Sequence, residues 1–295
     1  MNLSGSRKDW QKESNTRSII NVYISALSAL RNPVVALPSL IYFALHILIM
    51  AIYLNIQSPA LHSFWALFIR GIAPEIFRHY PHHIILMQAV LGRFDILLDI
   101  FIHIIIQGAT VAMVGSVLSR GNPDAAPSFS LTFKRYGHLL AVSIISSGII
   151  FLVLNISEMV TGALIPGGRL IFAGASILAA LAVQGLFVYT TPFILLEGED
   201  AFSSIGKSSS LACHSVILTA LLVVIPFILT LPSVLLDIKA EMISFRLSPD
   251  FIIYNHIVGE LLQTIATYLI TAGSAVIVIM KRTDLLEQSD EMKED

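Results

Sequence analysis

Six stretches of this chain are each apolar over roughly the 20 residues that a helix needs to cross a bilayer core of about 30 Å. They fall near 34–56, 95–118, 138–160, 170–195, 215–236 and 254–280. Lipid offers backbone amides no partner, and a helix pairs them within itself. The expected fold is therefore all-α, a polytopic membrane protein of six transmembrane helices plus short interfacial ones. Charged residues make up 13% of the chain, against about 25% in soluble domains. No soluble domain of useful size is left over. The expected division is a cytosolic tail over 1–17, a six-span domain over 18–282 and an acidic cytosolic tail over 283–295.

The stretch Asp95-Ile-Leu-Leu-Asp99-Ile-Phe-Ile-His103-Ile-Ile-Ile-Gln107 lies inside the second apolar run. Its four polar residues recur every four positions, which on a helix makes one slowly drifting ladder. Ionisable groups in a span are expensive and face a bundle interior or a wet cavity. The sixth run carries a second series, His256, Glu260, Gln263, Thr264, Thr267, Thr271 and Ser274, within about a third of the helix circumference. If the second and sixth spans pack together, the two series enclose a carboxylate–imidazole–amide seam. Such a seam suits a proton relay or cation path, and its His and carboxylate groups are ordinary metal ligands. Interhelical hydrogen bonding at about 0.6 kcal/mol per pair is the structural alternative.

Other features limit the function. A net charge of −2 leaves no basic patch for nucleic acid. The single cysteine, Cys213, excludes a disulfide framework and cysteine-based metal sites. Hydrolase motifs such as G-x-S-x-G and H-E-x-x-H are missing. His46, beside Tyr42, and His103 both sit at mid-span and are a candidate pair of haem ligands. The cluster His79-Tyr-Pro-His82-His83 lies in the connection over 57–94, read as interfacial and His-rich. The N-terminus does not read as a signal peptide. With that end inside, 12 basic residues fall on the inner side and 6 on the outer, which predicts both termini on the cytoplasmic side of a cell membrane.

Ser18–Leu30 reads as an interfacial helix turning into the first span at Arg31-Asn32-Pro33. Asp200 is placed to cap a second short helix from Ala201 to about Ser210, with Phe202, Ile205 and the Ser209/Ala212 positions on an apolar side expected to rest against the bilayer or the bundle. Phe129-Ser-Leu-Thr-Phe-Lys134 and Phe202-Ser-Ser-Ile-Gly-Lys207 share F-S-x-x-x-K, and each precedes a span. The chain then reads as three units of short helix plus hairpin. Pro226 and Pro232 are expected to kink the fifth span.

The segment Pro192-Phe-Ile-Leu-Leu-Glu-Gly-Glu-Asp-Ala-Phe-Ser-Ser-Ile-Gly-Lys-Ser-Ser resembles a junction found in a group of six-span bacterial membrane proteins. That group includes the membrane domain of some glycerophosphodiester phosphodiesterases and stand-alone relatives of unknown function. Lys207-Ser208 match its basic-Ser pattern, and Ser209 stands where the group has an aromatic residue. The resemblance implies the six-span fold and supplies no catalytic residues. Taken together, the sequence points to a non-enzymatic integral membrane protein, acting in membrane assembly or in transport of a small solute, ion or lipid. Asp95, Asp99, His103, Gln107, His256, Glu260 and Gln263 are its candidate path. No cofactor and no metal are assigned. The expected partners are the bilayer and either other membrane proteins or further copies of the chain. The rival reading is a membrane-embedded enzyme or redox subunit that uses the same residues as metal or haem ligands.

Overall fold

The computed structural model describes residues 19–55, 58, 82–162, 166–239, 242, 246 and 248–294. Six helices are long and apolar enough to cross a membrane: Pro33–Leu54, His83–Ser119, Tyr136–Ile156, Gly174–Glu197, Val216–Leu236 and Asp250–Arg282, spans one to six. Short helices precede the odd-numbered spans, at Ile19–Ala29, Ala125–Lys134 and Ala201–His214. The order is thus short helix and hairpin, three times over. Span six is the axis: 61% of its apolar window is buried, against 17% for span three, and it packs on spans one, two and five. Large apolar side chains such as Ile171, Leu178 and Phe151 stay exposed around the outside. That is the surface expected where the neighbour is lipid.

Two boundaries differ from the sequence reading. Span two begins twelve residues earlier than expected, because Ile84, Met87, Val90 and Leu91 bury against Ile49, Met50 and Tyr53 of span one. Its 37 residues measure about 55 Å at 1.5 Å per residue, so it projects well past a bilayer core. Span six continues as one helix to Glu294, through the residues read as an acidic cytosolic tail. Hydropathy marks where lipid ends, and a helix of Glu, Lys, Leu and Met does not have to end there. Of the expected interfacial connection, residues 59–81 lie outside the described ones, His79 among them.

The second and third short helices seat themselves on the last span of the preceding hairpin, and the first on span six. Thr132 of the second packs so closely on span two that a Cβ at Gly108 would lie 2.5 Å from its methyl group. In the third, Ser208 Oγ donates to Leu186 O of span four at 2.6 Å. The first lies on span six, where Tyr268 donates its hydroxyl to Ala26 O at 2.7 Å. Asp124 and Asp200 cap the second and third, accepting from Ala126 N and Ser203 N. Aligned on these caps, Ser128 matches Ser204 and Thr132 matches Ser208, and all four are buried. The repeat therefore runs in a different register from the F-S-x-x-x-K match. Phe202 is 79% exposed, and the packed face of its helix is Ser204, Ser208 and Leu211.

At three places where a span breaks its own hydrogen-bond ladder, a side chain from another helix takes up a freed backbone group, as a membrane interior favours. Pro226 frees the Leu222 carbonyl, and Tyr23 of the first short helix donates to it at 3.2 Å. Span five continues as a helix through both prolines. Span four is interrupted before Pro192, and there Tyr189 N donates to Ser208 Oγ at 3.2 Å. In span two, Asp99–His103 form a π-helical turn. Carbonyls of that turn accept from span three, Ile100 O from Ser143 and Phe101 O from Tyr136.

Candidate functional site

The polar groups lie where the bundle's two apolar cores meet. One core gathers around the short helices and includes Val35, Ile104 and Tyr268. The other includes Ile49, Leu91 and Ile252. Between them in chain order come Tyr42 and His46 on span one, Asp95 and Asp99 on span two, and His256 and Glu260 on span six. Spans two and six pack against each other as the seam requires, and span one joins them.

The expected single ladder on span two divides in two. The lower part is a closed hydrogen-bond network. Asp99 Oδ1 accepts from the Tyr42 hydroxyl at 2.5 Å and faces His103 Nδ1 at 3.2 Å. Gln107 Nε2 lies 3.4 Å from His103 Nε2. A neutral imidazole with its hydrogen on Nδ1 fits both neighbours, donating to Asp99 and accepting from the Gln107 amide. The Tyr42 ring stacks on His103 at 4.7 Å between centroids.

The upper part is arranged differently. Asp95, one turn earlier on span two, meets His46 of span one. His46 Nε2 lies 3.5 Å from Asp95 Oδ1 and 3.9 Å from Glu260 Oε2. The other oxygen of Glu260 faces His256 Nε2, also at 3.9 Å. His46 Nδ1 lies 3.0 Å from the Tyr42 carbonyl oxygen. A carbonyl only accepts, so Nδ1 carries the hydrogen, and in the neutral ring Nε2 presents a lone pair to the two carboxylates. His46 is almost wholly buried, and the three ligand atoms lie within 4.8 Å of one another.

Two cavities of about 230 and 240 Å³ adjoin the lower network. Both are lined by Asp99, His103, Gln107 and Gln184, so they meet at those residues. The first extends toward span three, along Ser143, Ser146 and Thr191. The second extends toward span five, along Thr230, Gln263 and Thr267. Of the span-six series, Gln263 and Thr267 line the second cavity, and Thr271 and Ser274 the first. Thr264 instead donates to Glu260 O of its own helix.

Sequence reasoning placed the seam between spans two and six alone and missed the part span one plays in it. Tyr42 and His46, four apart on an apolar helix, carried the same signal as Asp95 and Asp99. Gln184, the amide at the junction of the cavities, is a lone polar residue and carried none. A haem between His46 and His103 does not fit, because the Tyr42 ring stands there, edge-on to His46 at 4.3 Å and stacked on His103. Fold and site together define an all-helical, six-span integral membrane protein with ionisable groups gathered inside the bundle. No family model, no curated protein and no solved structure matches the chain.

Proposed function

We propose that the protein passes a small neutral or cationic solute across the membrane through the polar seam, without chemical change. The observation that supports this most is the pair of cavities meeting at Asp99, His103, Gln107 and Gln184. A bundle held only by interhelical hydrogen bonds has no need of that much polar space beside it. Each cavity has room for several waters or a solute of a few heavy atoms. The lining offers amides and hydroxyls, with Asp99 as its acidic group. That composition favours neutral and positively charged solutes over anions. The likeness to the six-span group points the same way in fold and supplies no substrate.

Flux into proteoliposomes tests the reading, with urea, glycerol and K⁺ as probes. We expect at least one to enter faster than into protein-free vesicles, and Gln107→Leu with Gln184→Leu to remove the difference. Rates equal to protein-free vesicles for all three contradict it. Both termini are proposed to be cytoplasmic. In a Cys213→Ser background, a cysteine at Ser248 should then react with an impermeant thiol reagent in intact cells, and one at Asn122 should be protected. The reverse pattern overturns the orientation.

A further inference from the structure

We propose that His46, Asp95 and Glu260 bind one divalent first-row transition-metal ion, with His256 as a fourth ligand. The site goes beyond the transport reading and does not depend on it. A tetrahedral ion with bonds of about 2.1 Å holds neighbouring ligand atoms roughly 3.4 Å apart. His46 Nε2 and Asp95 Oδ1 are already 3.5 Å apart. The Glu260 carboxylate, facing His46 with one oxygen and His256 with the other at 3.9 Å each, closes on the ion by small side-chain rotations.

The second observation is the way His46 is held. Metal-ligating histidines characteristically donate their other ring N–H to a carbonyl or carboxylate, which fixes the tautomer and aims the lone pair at the ion. His46 does this through Nδ1 and the Tyr42 carbonyl, inside a span and with its side chain 95% buried. The ligands come from spans one, two and six, so an ion here fastens three helices at one point. Imidazole with two carboxylates suits Zn²⁺, Fe²⁺, Co²⁺ or Mn²⁺. Mg²⁺ and Ca²⁺ call for six or more oxygens in their shell and fit it poorly.

The test uses the full-length protein, purified in detergent, stripped with chelator and titrated with Co²⁺ while its visible absorption is recorded. We expect one Co²⁺ per chain, displaced by Zn²⁺ and not by Mg²⁺. His46→Gln and Asp95→Asn should each weaken binding beyond the ten- to hundred-fold typical of losing an outer-shell partner. Zn²⁺ should raise the melting temperature of the wild type and leave that of both variants unmoved. Should either variant fail to fold, Glu260→Gln is read in its place. The triple variant His79→Gln, His82→Gln, His83→Gln should bind as the wild type does, which separates this site from the His-rich connection. Absence of saturable Co²⁺ binding by the wild type overturns the proposal. So does unchanged affinity in the His46 and Asp95 variants, or loss of binding in the triple variant. Titration in detergent is blind to flux, so its outcome and that of the proteoliposome assay are independent.

Discussion

Two neighbouring groups of side chains in this bundle use the same residue types and reach opposite arrangements. Around Asp99 the groups pair with one another: Tyr42 and His103 serve the carboxylate, and Gln107 serves His103. Around His46, one ring nitrogen is committed to a carbonyl and the other is aimed at two carboxylates. The first set is complete as it stands; the second is built to share something positive. An Asp and a His four residues apart are thus no guide to role until the third partner is known. For Asp99 and His103 that partner is a tyrosine from another span. For Asp95 it is a histidine whose second ring nitrogen faces it.

The largest expected effect tests the open arrangement. In a double-mutant cycle of His46→Gln with Asp95→Asn, the coupling energy should reach about 3 kcal/mol with Zn²⁺ present, near the top of the range for contacting residues. With chelator it should fall to about 0.5 kcal/mol, the low end of the range for residues in contact. Equal coupling under both conditions would remove the distinction between the two groups. The same cycle with Tyr42→Phe and Asp99→Asn should give about 1–2 kcal/mol, a hydrogen bond to a carboxylate, and Zn²⁺ should not alter it. Thermal unfolding in detergent serves for both cycles.

Smaller changes sharpen the picture. Gln107→Leu removes a long, neutral hydrogen bond and should destabilise by about 0.5 kcal/mol, the low end for such bonds. A carboxylate pair with its own resident cation provides the reference. Outside the membrane, Lys207 donates to Glu197 at 3.0 Å and to Glu199 at 2.5 Å. Hydrogen bonds from Lys207, then from Ser203, hold the Glu199 carboxyl below its ordinary value, and Glu199 followed by Glu197 holds the Lys207 ammonium above its own. The depressed acid contributes stability above its unfolded pKa and loses it as pH falls through the folded one. The raised base contributes below its unfolded pKa and loses it as pH rises through the folded one. Melting temperature should therefore be flat around neutrality, with slight losses at each extreme. Lys207→Met should lower it least of all these changes, and less still in high salt, since exposed pairs are weak and screened.

Much of the fold was legible in the apolar runs, because a span must be apolar for its whole length. The start of span two was not: the apolar run reads as beginning at Asp95, yet the residues before it pack on span one. The repeat was visible but out of register. The eye follows Phe and Lys, whereas the packing follows the Asp caps and the small buried residues Ser128, Thr132, Ser204 and Ser208. Within the site, spacing alone marked Asp95 to Gln107 and His256 to Gln263. The π turn at Asp99–His103 leaves no trace in composition, and it lies where the single ladder gives way to two groups. Which span would supply the third partner depends on helix packing, and residue spacing along one helix carries no information about its neighbours.

The contrast between the two groups is tested most directly by an anomalous difference map from crystals of the wild-type protein grown with Zn²⁺. One peak should lie among His46 Nε2, the Asp95 carboxylate and the Glu260 carboxylate. The hydrogen bonds of Asp99 to Tyr42 and His103 should be unchanged. A peak at Asp99 and His103 instead, or His46 Nε2 found hydrogen-bonded directly to Asp95 with no ion between, would contradict the account.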